Sequence, residues 1–68
     1  MKSGTKVKPS ESFLKESPKY SNVEYGIIWK VSDCGWFHVQ WTLKPDIDFK
    51  TVSVPLFGLY VPGEIEEI

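Results

Sequence analysis

The chain has one histidine, His38, and one cysteine, Cys34. An imidazole with an unperturbed pKa of about 6.5 can act as general base or proton switch. His38 has no Ser or Cys partner at a fixed catalytic spacing, and Cys34 lies across a turn from it. The expected role is a surface or half-buried histidine on a sheet. Cys34 has no adjoining Lys, Arg or second Cys, and Asp33 beside it is expected to raise its pKa, so an ordinary turn thiol is expected. Asp46 and Asp48 form a D-x-D pair. A calcium loop needs further oxygen ligands and a glycine that are missing here, so these read as solvated loop charges. One cysteine and one histidine exclude a structural zinc set by counting. No catalytic, metal or cofactor site is expected.

Charge defines a second group. All eight basic residues are Lys, the net charge is −1, and Arg is absent. Arg is the preferred residue for bidentate contacts to phosphate and guanine, so its absence weakens a nucleic-acid reading. Lys2, Lys6, Lys8, Lys15 and Lys19 outweigh Glu11 and Glu16 over residues 1–20, whereas Glu64, Glu66 and Glu67 make residues 61–68 acidic. Either the two ends lie close and attract weakly, or the basic segment meets an acidic partner. If that partner were nucleic acid, Lys6, Lys8, Lys15 and Lys19 would be its phosphate contacts.

The elements that must carry these residues are short. Sixty-eight residues make one domain, 1–68, of a size that leaves stability marginal. A lone cysteine permits no intrachain disulfide, which fits a reducing cytoplasm. No apolar run approaches the ~20 residues of a membrane span, and no apolar stretch follows the first Lys as in a signal peptide. Thr5–Lys8 suggests a strand with Val7 inward, ended by Pro9. Residues 10–22 read as a long polar loop pinned by Phe13, Leu14 and Tyr20. One helical turn can follow Ser10 before Pro18 stops it.

Val23–Val31 and Trp36–Thr42 are the clearest strands, rich in β-branched and aromatic residues and joined by the turn Ser32–Gly35. In the first, Tyr25, Ile27, Trp29 and Val31 share the apolar face, and Gly26 marks a bulge or bend. In the second, Phe37, Val39 and Trp41 form the core face, leaving Trp36, His38 and Gln40 opposite. Ile27, Trp29, Phe37, Val39 and Trp41 are therefore the expected core. After a loop opened by Pro45, Phe49–Val54 alternates again, with Val52 and Val54 inward. Leu56–Val61 bends at Gly58, and Pro62-Gly63 turns into a closing segment. The sum is an all-β, strongly curved antiparallel barrel of about five strands.

Gly4-Thr5-Lys6-Val7-Lys8, Tyr25-Gly26-Ile27-Ile28, Phe37-His38-Val39-Gln40-Trp41 and the closing segment through Val61 together resemble the SH3-like small β-barrel superfold, in the order seen in KOW-type barrels. The resemblance covers most of residues 4–68 and implies a fold, not a family. Thr51-Val52-Ser53-Val54-Pro55 also looks like the Val-Gln-Ile-Tyr-Pro segment of type II dihydrofolate reductases, which are oligomeric barrels of similar size. The pore-lining Gln and Tyr of those enzymes are missing here. Nor does any segment resemble the Ala-Leu-Tyr-Asp-Tyr stretch of eukaryotic SH3 domains, which bind Pro-rich peptides.

These features point to a non-enzymatic, cytoplasmic interaction module that binds a protein partner, of the kind common among phage and plasmid accessory proteins. Trp36, His38 and Gln40 are the expected contact residues, since an exposed Trp with hydrogen-bonding neighbours is an effective interface anchor. The rival role for Trp36 is burial under the 10–22 loop. A nucleic-acid-binding barrel is the alternative function, and a homo-oligomer is compatible with both.

Overall fold

The computed structural model describes residues 1–48 and 50–68. Strands β1 (Lys6–Pro9), β2 (Val23–Val31), β3 (Phe37–Leu43), β4 (Phe57–Tyr60) and β5 (Ile65–Glu67) form one antiparallel sheet in the order β4-β3-β2-β1-β5. The sheet curls into a half-barrel, and the fold is all-β with little helix. Helix α1 (Glu11–Glu16) and a 3₁₀ turn (Pro18–Asn22) follow β1, and a second 3₁₀ turn (Pro62–Glu64) joins β4 to β5. Among the described residues no helix is long and apolar enough to cross a membrane.

The hairpin β2–β3 is the spine of the sheet, with pairing from Val23↔Leu43 to Val31↔Phe37. Its turn closes as expected: Gly35 takes φ +88°, a conformation that costs glycine little. The β3 alternation also holds, since Phe37, Val39 and Trp41 are buried.

The phase of β2 is the reverse of the expected one. Val23, Gly26 and Ile28 are buried, Tyr25 and Ile27 are half-buried, and Trp29 is exposed. The pairing with β3 shifts between Val23 and Tyr25 and again between Ile28 and Lys30. Each irregularity inserts a residue, and a one-residue slip exchanges the two faces of a strand. Ile27 and Trp29 are thus not core residues; Ile28 fills that position, fully buried against Val7 and Val39 in the same cluster.

Of the strand expected over residues 49–54, the described residues 50–54 form none. Phe49 lies outside the described residues, and Lys50 and Thr51 are in a turn. The Asp48 carboxylate accepts the Lys50 N–H at 2.9 Å, and the Asp48 carbonyl accepts both the N–H (2.9 Å) and the hydroxyl (2.8 Å) of Thr51. Asp used this way offers the backbone a turn in place of a ladder. Val54 is nevertheless buried and Val52 packs against the core, so both valines turn inward from a loop. The fourth strand is supplied by Phe57–Tyr60 instead.

Residues 10–22 hold more structure than a loop. Ser10 caps α1 by accepting the Phe13 N–H at 3.2 Å, and Pro18 opens the 3₁₀ turn. Ser10 also donates to the Gly63 carbonyl at 2.8 Å, tying the segment to the turn before β5. Phe13, Leu14 and Tyr20 pin it to the core. Tyr20, Trp41 and Tyr60 meet edge-on with ring centroids 5.5–6.1 Å apart, and Phe13 packs on both tyrosines. Such aromatic pairs contribute about 0.5–1.5 kcal/mol beyond the area they bury. The segment thus covers the concave, inner side of the sheet.

Candidate functional site: the outer face of the sheet

Because α1 and the first 3₁₀ turn occupy the inner side, the outer side of β2-β3-β4 is uncovered among the described residues. Trp36, His38 and Gln40 fall there together: Trp36 is 42% exposed, Gln40 is exposed and His38 is half-buried. Burial of Trp36 beneath Phe13, Leu14 or Tyr20 is therefore not what the chain does.

Three residues the sequence reading left out complete this face. Trp29, displaced outward by the bulge, is 49% exposed, and its indole lies 5.1 Å from the His38 ring, centroid to centroid. On the other flank His38 pairs with Leu59 and Gln40 with Phe57, and these two are 45% and 61% exposed. Gln40 is also opposite Ile27, and His38 opposite Lys30. An imidazole and an amide are thus framed by two indoles, a phenyl ring and a leucine. No sequence signal marks Trp29: the register shifts lie between Val23 and Tyr25 and between Ile28 and Lys30, on either side of Gly26, which itself pairs regularly with Trp41. Leu59 and Phe57 were hidden by the continuous apolar run 56–61, which has no alternation to read.

The remaining candidate groups separate from this face. Lys6 and Lys8 are on β1, Lys15 on α1 and Lys19 in the 3₁₀ turn. Lys8 reaches Glu66 at 3.8 Å, Lys6 lies 4.5 Å over the Tyr25 ring and Lys19 lies 5.9 Å over Tyr20. The basic and acidic ends of the chain do meet, as β1 beside β5, with Lys8 opposite Glu66. Exposed pairs of this kind contribute about 0–1 kcal/mol.

Cys34 is exposed, and its thiol is lowered rather than raised in pKa. The first cause is the Ser32 hydroxyl, 3.1 Å from Sγ, followed by the Trp36 backbone. The expected effect of Asp33 is absent: hydrogen bonds to the thiolate set the direction, and the opposing influence is desolvation. Asp46 and Asp48 do not join other ligands: among the described residues no three His, Cys, Asp or Glu side chains gather.

Comparison with protein-family models, with curated proteins and with solved structures gave no match.

Proposed function

We propose that the chain is an SH3-like half-barrel acting as a non-enzymatic interaction module, which docks a protein partner on the outer face around Trp29, Trp36, His38 and Gln40. The observation that carries this reading is the exposure of two tryptophans on one sheet face, on either side of a histidine. Trp29, Trp36, Phe57 and Leu59 together leave roughly 400 Å² accessible, within the range of a functional patch on a monomer. Tryptophans flanked by hydrogen-bonding groups are the usual make-up of an interface hot spot. An intracellular, cytoplasmic setting agrees with the free thiol at Cys34.

The test is capture from a native lysate with the intact chain and with Trp36→Ala and Trp29→Ala. Proteins held by the parent chain and lost with both variants, at unchanged circular dichroism, support the reading. A partner retained equally by both variants overturns it. Recovery of nucleic acid in place of protein would favour the alternative function.

A further inference from the structure

We infer that β4 is a self-complementary sheet edge through which two copies of this chain pair, antiparallel and two-fold symmetric, with Gly58 on the axis. This inference shares Phe57 and Leu59 with the face described above but rests on main-chain geometry and not on Trp29 or Trp36, so substitutions at the two tryptophans separate its failure from that of the partner reading.

The two edges of the sheet differ. The β5 edge carries Glu66 and Glu67, with Glu64 just before it. Charged side chains on an edge discourage pairing with another strand. The β4 edge has no such guard: Leu56-Phe57-Gly58-Leu59-Tyr60-Val61 contains no charge.

The hydrogen-bond phase of β4 follows from one bond. The Trp41 N–H donates to the Leu56 carbonyl at 2.7 Å, so Trp41 and Leu56 form a bonded pair. In an antiparallel ladder bonded and non-bonded pairs alternate. Val39↔Gly58 and Phe37↔Tyr60 are then bonded pairs, and His38↔Leu59 and Gln40↔Phe57 are non-bonded. The N–H and C=O of Phe57 and Leu59 therefore point away from β3. Among the described residues, no backbone or side-chain group bonds to them.

One register pairs the two outward residues of β4 with each other. With Gly58 opposite Gly58, Phe57 of each copy is opposite Leu59 of the other. Both are residues with outward N–H and C=O, so the two pairs exchange four main-chain hydrogen bonds. The central non-bonded pair, in which side chains come closest, is glycine on glycine. Phe57 and Leu59 lie on the same outer face, so each phenyl ring packs on a leucine across the axis. Pro55, three residues before Gly58, and Pro62, four after it, bound the strand, and a proline ends a ladder. The contact is isologous and closes as a dimer instead of growing into a fibre.

Charge and size favour a copy of the chain over a foreign peptide. No like charges meet across the axis, and a net charge of −1 provides little mutual repulsion. Domains below about 70–80 residues with a single core commonly gain stability by association. Burial of Phe57 and Leu59 with a ladder of three residues from each copy falls short of the ~800 Å² per partner of a standard interface, so the dimer is a weak one.

Sedimentation equilibrium of the full chain at concentrations from about 10 µM to 1 mM tests this. A monomer–dimer equilibrium within that range is expected. Hydrogen exchange at the Phe57 and Leu59 amides should slow as concentration rises, while exchange at Glu66 and Glu67 does not. Leu59→Lys and Phe57→Lys, both at exposed positions, should each raise the dissociation constant at least tenfold, and Trp36→Ala should leave it unchanged. A monomer throughout the range overturns the inference. So does a dimer indifferent to both lysine variants, or one in which the Phe57 and Leu59 amides stay unprotected. An added apolar extended peptide that protects these amides in a chain that stays monomeric would reassign the edge to a foreign strand.

Discussion

Gly26 lies directly beneath Trp41: a Cβ built on Gly26 would stand 2.6 Å from Cε3 of the indole and 2.6 Å from Cγ1 of Val39. Trp41 is 2% exposed and Val39 is fully buried, so neither side chain has room to retreat. Gly26→Ala should destabilise the domain by about 1–3 kcal/mol through overpacking, with the m-value preserved. Urea unfolding followed by tryptophan fluorescence measures this. An unchanged midpoint would mean that Trp41 does not rest on the glycine.

Tyr60 also meets the Trp41 indole, edge-on. The Trp41 Nε1–H donates to the Tyr60 hydroxyl at 2.9 Å, and the Tyr20 and Tyr60 oxygens are 2.9 Å apart. Burial, and then the hydrogen bond with Tyr20, push the Tyr60 pKa well above its ordinary value. A folded-state pKa above the unfolded one means that the native chain holds the proton more tightly. That contribution is complete below about pH 10, the unfolded tyrosine value, and is lost as pH rises toward the folded value. Thermal melts should thus show falling stability from about pH 10 upward. Tyr60→Phe should flatten this alkaline slope. At neutral pH it should cost about 1–3 kcal/mol, because the Trp41 N–H is left buried without its acceptor.

The same cluster explains what was legible in the sequence. The alternation Phe37-Val39-Trp41 is uninterrupted, so its core face and the outward placement of Trp36, His38 and Gln40 could be read directly. Val23–Val31 has apolar residues on both faces, and alternation alone cannot choose between Ile27-Trp29 and Val23-Ile28. The choice is made by two bulges and by the absence of a side chain at Gly26, which are tertiary facts. The absence of strand over the described residues 50–54 has a similar cause: Val52 and Val54 read as strand, but the turn around Asp48 competes for the backbone. A mutational contrast checks the phase of β2. Ile28→Ala should cost about 2–5 kcal/mol, as buried isoleucines do. Trp29→Ala, at an exposed position, should cost under about 1 kcal/mol. The reverse ranking in urea unfolding would restore the simple alternation.

The lysines support a last prediction. Affinity for nucleic acid grows with the number of phosphates a protein neutralises, and falls with salt accordingly. Lys6, Lys8, Lys15 and Lys19 are spread over three elements, and Lys8 is beside Glu66. Lys6 lies over Tyr25 and Lys19 over Tyr20, and the ends of the chain place Glu66 and Glu67 along the neighbouring strand. An approaching phosphate backbone would meet carboxylates beside the lysines of β1. Few counterions would be released, and binding should be weak with a shallow salt slope. Gel shifts with single- and double-stranded probes at about 50 mM salt should show faint retention that disappears by about 200 mM. Glu66→Gln with Glu67→Gln should strengthen that retention, since the lysines would then be unopposed. A submicromolar complex of the parent chain at the higher salt would make β1 and the 10–22 segment a nucleic-acid site, and the outer-face reading would give way to it.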